Sequence, residues 1–261
     1  MRTLDLTRPP DEIDEHGRPV YRIDQERGLR DHMTMDLLRA PRLRAYTNWA
    51  DERIFAEVRA EVAAAGRARL DIIEIGGGDG HFFDRVRDLA RSYVNVEPSP
   101  STPDAAALAR LADGRYAELR CSALDIPLPD ATADVVLAIA ALDHLPAPDA
   151  ALAEIRRVLR PDGTLTLTLN NAASWWKRLL AKSERLRERD AKIALDHHFQ
   201  WSATQCEREL AQIFPDVSVR TVRFVPYVPA VWRLGAALDA FVSGVGGRWG
   251  GDTIATARLR T

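Results

Sequence analysis

The chain has 261 residues, 46% of them hydrophobic and 28% charged, and its formal net charge is -2. This composition is ordinary for a globular protein with one large α/β domain and additions, and the charge balance counts against a nucleic-acid partner. No apolar stretch approaches the roughly 20 residues that a membrane span needs, and the charged N-terminus is unlike a signal peptide. We therefore expect a cytoplasmic protein without a membrane partner. Cys121 and Cys206 lie far apart and predict neither a disulfide framework nor a metal motif.

The first 66 residues divide into two parts. Residues 1–20 are rich in proline and charge and predict an arm or a loose cover. Residues 21–66 carry apolar side chains at helical intervals and end in Gly66, a helix stop, so we expect two or three helices here.

A strand, a glycine turn and a helix follow. Residues 70–75 are apolar and β-branched, and four glycines then occur within five positions, at 76, 77, 78 and 80. Glycine lets the backbone turn sharply and approach a ligand closely. Residues 81–90 have apolar side chains at helical spacing and predict a helix. Together these segments predict the first half of a nucleotide-binding α/β unit.

The glycine spacing limits which class of ligand the loop can bind. Position 81, where the dinucleotide fingerprint needs its third glycine, is His81, and no P-loop lysine follows. The pattern Glu74-x-Gly76-x-Gly78-x-Gly80 resembles the first motif of the class I S-adenosylmethionine-dependent methyltransferases. The resemblance implies that Glu74, Gly76, Gly77, Gly78 and Gly80 bind the amino-acid end of that cofactor, with Glu74 facing its ammonium group. The alternative is an ordinary glycine-rich turn.

Two further acidic positions extend the resemblance. Glu97 ends the predicted second strand, 93–96, and lies 17 residues after Gly80. A carboxylate at this position accepts hydrogen bonds from ribose hydroxyls in such folds. After a predicted helix at 103–112 and a third strand at 116–122, the family places an Asp against the adenine amine. Asp125 fits that role, with Leu124 and Ile126 flanking the ring; the alternative is a turn Asp before a proline-rich loop.

The next segment of the sequence closely resembles the corresponding region of small-molecule methyltransferases. Residues 133–140 are a nearly continuous apolar run, typical of a central strand, and we assign Ala140 at its end to the cofactor. A helix at 150–159 with Asp149 as its N-cap, and a fifth strand at 164–169, complete this segment.

The predicted lid follows the fifth strand, over residues 173–201. It contains Trp175, His197 and a charged helix at 177–192 with seven Lys or Arg and three Asp or Glu, a pattern most typical of a solvated helix face. Ser202 and Gln205 resemble a capping box that opens a helix to residue 213. We further expect strands at 217–224 and 253–259 and a helix at 230–242.

The family resemblance covers residues 70–170 and implies a doubly wound, Rossmann-like α/β fold. Its seven-stranded sheet has an antiparallel last strand, with a helical N-terminal preface over 1–66 and the main domain over 67–261. In this family the preface and lid shape the acceptor pocket, so we assign Tyr46, Trp175 and His197 to substrate binding. Packing of Tyr46 onto the sheet is an equally good interpretation.

Two histidines are candidates for a general base, which is needed only if the acceptor must lose a proton. His144 follows the fourth strand at the carboxyl edge, where open α/β sheets bind ligands; the alternative is a local structural role in its loop. His198 lies in the lid. The spacing of histidines and carboxylates predicts no metal site.

The resemblance implies S-adenosylmethionine as the cofactor and methyl transfer to an oxygen, nitrogen or carbon of a small molecule, in secondary metabolism. A cyclase or pericyclase of the same fold that keeps the cofactor is an alternative. An RNA methyltransferase is another, although the overall acidity and the missing base-amine motif after the fourth strand count against it. A cofactor sensor without turnover is a third. No motif specifies the acceptor or an oligomeric state.

Overall fold

A computed structural model describes residues 4–21, 41–98, 103–180, 182, 198–224, 237–239, 241–242 and 247–259; within 41–49 it describes the backbone only. The strands of this part are β1 Glu12–Ile13, β2 Pro19–Val20, β3 Leu70–Ile75, β4 Ala90–Val96, β5 Tyr116–Leu119, β6 Ala133–Ile139, β7 Leu159–Asn170, β8 Asp216–Val222 and β9 Asp252–Arg258. The helices are α1 Pro41–Ala63, α2 Phe83–Val86, α3 Ala105–Leu111, α4 Pro148–Val158, α5 Trp175–Leu180 and α6 Ala203–Ala211.

Strands β3 to β9 form one seven-stranded sheet in the order β5-β4-β3-β6-β7-β9-β8. Its first five strands are parallel, and β9 runs antiparallel to both β7 and β8. The chain order reverses between β3 and β6, and such a switch point opens a crevice at the carboxyl ends of the strands. The predicted fold class, with an antiparallel last strand, is confirmed.

The sheet is covered on both faces, because β3 and β6 alternate apolar side chains between two clusters. One cluster includes Ile73, Val136 and the buried faces of α4 and α6. The other includes Ile72, Val135 and side chains of α1 and α2. Strands buried on both faces read as continuous apolar runs, which explains why the sequence reveals them.

Several predicted helices have different bounds. The helix expected at 81–90 is only the single turn α2, because Ala90 already begins β4 and pairs with Leu70. Helix α4 begins at Pro148, so Asp149 lies in its first turn and is not the N-cap. The capping box at Ser202 is confirmed: its hydroxyl accepts from the Gln205 N–H, and the Gln205 side chain accepts from the Ser202 N–H.

Parts of other predicted elements lie outside the described residues. Of the helices expected in 21–66, the structure describes α1, and residues 22–40 lie outside. Of the charged helix at 177–192, it describes α5 to residue 180 and a turn at 182. Of the helix at 230–242, it describes helical residues 237–239 and 241–242.

The N-terminal arm is a packed hairpin. Its strands β1 and β2 pair antiparallel, and Val20 bridges in parallel to Arg120 beyond the end of edge strand β5. Tyr21 is buried in the core beside Cys121. The arm therefore pairs with the chain immediately after β5, at that edge of the sheet.

Candidate active site

The glycine loop follows β3 directly and lies at the switch point. Gly76, Gly78 and Gly80 have φ of 67°, 56° and 74°, in the left-handed region that side chains disfavour. A Cβ at Gly76 would lie 2.7 Å from the Ala141 Cβ, and one at Gly80 would lie 2.7 Å from the Tyr116 Cζ. At Gly78, by contrast, an added Cβ would have no atom within 4 Å. The loop is packed at both ends and open at its centre.

Two polar side chains of the β4 end hold that open centre in place. The Gly78 N–H donates to Glu97 Oε2 at 2.9 Å, and the Asn95 Nδ2 donates to the Gly78 carbonyl at 2.9 Å. Glu97 is only 4% exposed. The structure therefore brings the glycine loop and the Glu97 carboxylate into direct contact.

Glu74 lies beneath the loop. Its carboxylate is buried, accepts a hydrogen bond from the Tyr93 hydroxyl at 2.5 Å, and would collide with any side chain at Gly77. Burial raises the pKa of Glu74 from 4.5 to about 7, and the Tyr93 hydrogen bond opposes this rise. The Glu74 carboxylate thus packs directly against the loop backbone at Gly77.

A buried aromatic layer supports the loop from the same side. Tyr93 stacks on Tyr116 with ring centroids 5.9 Å apart, and Phe83 lies 5.3 Å from each ring. Both tyrosine side chains are essentially inaccessible to solvent, and burial raises their pKa values. Since this layer cannot shift without opening the core, it fixes the position of Gly80.

Charged groups that sequence reasoning missed surround the loop. His81 Nδ1 lies 2.6 Å from Asp79 Oδ1, and this contact raises the pKa of His81 and lowers that of Asp79. The buried Arg110 donates to the Asp79 carbonyl at 3.2 Å. On α1, desolvation raises the pKa of Asp51, and the nearby charges of Arg223 and His81 oppose the rise.

One of the missed residues left a signal in the sequence. Asn95 is a polar residue between Val94 and Val96 of β4, and it is completely buried. Buried polar side chains are normally there to satisfy a hydrogen bond, which here is the one to the loop. The Arg110 contact joins distant segments and left no comparable signal, whereas Asp79 and His81 lie only two positions apart.

At the predicted adenine end, Asp125 and Ile126 have different environments. The Asp125 side chain is 70% exposed, and Arg8 of the N-terminal arm donates to its Oδ2 at 2.6 Å. Ile126 is buried in the core, and its N–H donates to Glu154. The Asp125 side chain is thus exposed and paired with Arg8, whereas the Ile126 side chain packs inward and Leu124 is partly buried.

The two histidine candidates lie on neighbouring segments. His144 ends a single 3-10 turn, Leu142–His144, that follows β6 and Ala140. The backbone N–H of His198 donates to the Asp143 carbonyl of the same turn at 2.8 Å. Ala140 is exposed and has a φ of 49°, and such a strained non-glycine residue is often found at a functional site.

The acceptor-side candidates are only partly described. Trp175 begins α5, is 46% exposed, and donates its indole N–H to the Phe224 carbonyl at 2.8 Å. Tyr46 lies on α1, where the structure describes the backbone only, and His197 lies outside the described residues. The structure therefore places Trp175 near the end of β8 and leaves the roles of Tyr46 and His197 as predictions.

Part of this chain is similar to known methyltransferases. Residues 73–167 match the family model described as "Methyltransferase domain". An uncharacterized methyltransferase of Mycobacteroides abscessus is 36% identical over 109 residues, which span 41% of this chain and 41% of the relative. A Mycobacterium ulcerans relative of the same description is 36% identical over 106 residues. The match thus spans about two fifths of the length of these relatives.

Solved structures share the fold. The 1,6-didemethyltoxoflavin-N1-methyltransferase of Burkholderia thailandensis, with bound S-adenosylhomocysteine, is 17% identical; the comparison covers 97% of this chain and 100% of that one, with a TM-score of 0.54. The [4+2]-cyclase SpnF is 20% identical, over 78% of this chain and 80% of that one, with a TM-score of 0.50. Residues 73–167 thus resemble the methyltransferase domain, and the solved structures show the same fold.

The residues present fit S-adenosylmethionine, the cofactor that the methyltransferase resemblance implies. The glycine loop leaves open space only above Gly78, and the packed flanks at Gly77 and Gly80 exclude side chains there. The buried Glu97 carboxylate adjoins that space, and a carboxylate suits vicinal hydroxyls. Among the described residues, no helix is long and apolar enough to cross a membrane.

Proposed function

We propose that this protein transfers the methyl group of S-adenosylmethionine to a small-molecule acceptor, at an oxygen, nitrogen or carbon atom, in secondary metabolism. The observation that carries the proposal is the contact between Gly78 and Glu97. It joins the glycine loop to a buried carboxylate at the switch point of the sheet, inside the matched methyltransferase domain. The overall net charge of -2 supports a small molecule over a nucleic acid.

The cofactor contacts follow from this arrangement. Glu97 accepts from the ribose hydroxyls, and Asp125 accepts from the adenine amine. The loop glycines 76, 77, 78 and 80 and the exposed Ala140 line the amino-acid end, with Glu74 beneath them and the Ile126 backbone beside the adenine. When bound, the cofactor supplies a methyl group already activated on a sulfonium, so the protein contributes mainly orientation.

The acceptor lies on the carboxyl side of β6, between the preface over 1–66 and the lid over 173–201. Tyr46, Trp175 and His197 contact it in this proposal. Where the acceptor is a hydroxyl or phenol, His144 or His198 removes its proton, because both belong to segments that meet at the Leu142–His144 turn. A cytoplasmic location remains a prediction from the sequence.

The first test is mass spectrometry of the cofactor products after incubation of the protein with S-adenosylmethionine and candidate acceptors. We expect S-adenosylhomocysteine together with an acceptor heavier by one methylene. Methylthioadenosine, or a rearranged acceptor of unchanged mass, would contradict methyl transfer and support the cyclase alternative. That alternative has one specific observation in its favour, the structural likeness to a [4+2]-cyclase.

The second test measures S-adenosylhomocysteine binding to Glu97→Ala by titration calorimetry. Loss of a carboxylate that hydrogen-bonds two hydroxyls costs about 2 kcal/mol or more, which weakens binding at least tenfold. Arg208→Ala, which removes an exposed ion pair with Glu209 on α6, is the control. A Glu97→Ala dissociation constant equal to that of the control would contradict the ribose role.

A further inference from the structure

The N-terminal arm reaches the loop that carries Asp125. The Arg8 guanidinium donates to Asp125 Oδ2 at 2.6 Å, across 117 positions of sequence. One residue earlier, the Thr7 N–H donates to the Pro127 carbonyl at 3.1 Å. The arm is therefore bonded to both sides of Ile126, through one side-chain contact and one backbone contact.

Buried ion pairs hold the N-terminal arm against the sheet, and this fixes the position of Arg8. Arg18 of the arm pairs with Glu118 of β5 at 2.8 Å and with Asp14 at 2.6 Å, and the Arg18 and Glu118 side chains are 4% and 3% exposed. Breaking a buried pair of this kind is costly, so the arm stays docked in the folded protein.

The Arg8 side chain is itself confined. Its guanidinium lies over the ring of the buried Tyr21, 4.8 Å from the centroid, and the Tyr21 hydroxyl donates to the Arg8 carbonyl at 3.0 Å. A cation above an aromatic face is attracted to it. Tyr21 thus directs Arg8 toward Asp125, and the ion pair uses one carboxylate oxygen while the other keeps its capacity to accept.

We propose that Arg8 is a positioning residue for the cofactor, and that it holds the Asp125 carboxylate in place to accept from the adenine amine. The arm then forms part of the adenine end of the pocket and is more than a cover for the sheet edge. This inference rests on the proposed binding of S-adenosylmethionine. It assigns a selectivity role to a residue far from every motif of the family.

The Arg8–Asp125 ion pair can be removed with little effect on folding stability. Arg8 and Asp125 are 45% and 70% exposed, and exposed pairs contribute little to folding stability. Removal of the Arg8 side chain should therefore leave the melting temperature nearly unchanged, while the mobility of Asp125 increases. Any effect on binding then reports the carboxylate and not the fold.

The experiment compares two ligands by titration calorimetry: S-adenosylhomocysteine and its 6-deamino analogue, which lacks the adenine amine. We expect Arg8→Ala to weaken S-adenosylhomocysteine binding about fivefold to tenfold and to leave binding of the analogue unchanged. Arg8→Lys, which keeps the charge, should retain most of the affinity. In an Asp125→Ala background the Arg8→Ala effect should disappear, because the two residues act through one contact.

Arg208→Ala is again the matched control, since it removes one exposed arginine far from Asp125 in sequence. Unchanged or tighter binding of S-adenosylhomocysteine by Arg8→Ala would overturn the inference, and so would equal weakening of both ligands. If the unaltered protein binds no S-adenosylhomocysteine, the proposed function fails and the inference falls with it. Binding by the unaltered protein with no Arg8 effect contradicts the inference alone.

Discussion

Gly80→Ala should destabilise the protein, and Gly78→Ala should mainly impair cofactor binding. Both glycines have positive φ, which costs an alanine about 1–2 kcal/mol. At Gly80 the methyl group would also press on the Tyr116 ring, which is held between Tyr93 and Phe83. Overpacking of this kind adds about 1–3 kcal/mol. At Gly78 the methyl group would meet no protein atom within 4 Å.

These contributions give a loss of unfolding free energy of about 2–5 kcal/mol for Gly80→Ala and about 1–2 kcal/mol for Gly78→Ala. In melting temperature, the larger loss corresponds to roughly 5–15 °C for a domain of this size. Gly114→Ala is the control, because Gly114 has neither a positive φ nor a neighbour within 4 Å of the added atom.

The assay is urea unfolding of the three variants without ligand, followed by titration with S-adenosylhomocysteine. We expect the stability order Gly114→Ala, Gly78→Ala, Gly80→Ala. For Gly78→Ala we expect a dissociation constant at least about tenfold higher, because the methyl group occupies ligand space. If Gly80→Ala is as stable as Gly114→Ala, the Tyr116 layer does not fix the loop and the reasoning is refuted.

Two further predictions concern buried charges. Burial raises the pKa of Glu74 from 4.5 to about 7, so the native state keeps the proton that the unfolded chain releases, and stability falls as pH rises between those values. Between pH 4.5 and 7, the free energy of unfolding of Glu74→Gln, measured in urea, should increase by about 3 kcal/mol relative to that of the unaltered protein. Parallel pH profiles of the two proteins would contradict the raised pKa of Glu74. Arg18→Ala should lower the free energy of unfolding by about 3–5 kcal/mol, since it leaves Glu118 buried without its cation. The double variant Arg18→Met, Glu118→Leu should recover most of that loss; an Arg18→Ala variant that unfolds like the unaltered protein would show that the arm is not held by this pair.

Features that depend on local pattern could be predicted from the sequence. The apolar runs of β3 and β6 are continuous because both faces of these strands are covered, and the glycine spacing after β3 reflects backbone angles that only glycine adopts easily. The capping box at Ser202 is likewise local, since its two hydrogen bonds span three residues. Local rules were insufficient at residues 81–90, where helical spacing predicted a full helix and the pairing of Ala90 with Leu70 limited it to one turn.

Contacts between groups far apart in sequence could not be predicted in the same way. Packing in three dimensions brings Asn95 to the Gly78 carbonyl, Tyr116 against Gly80, and Arg8 to Asp125. None of these contacts has a sequence spacing that predicts it, because each depends on strand order in the sheet or on where the N-terminal arm docks. The sequence therefore specified the glycine loop, whereas the fold supplied the residues that contact that loop and the Asp125 carboxylate.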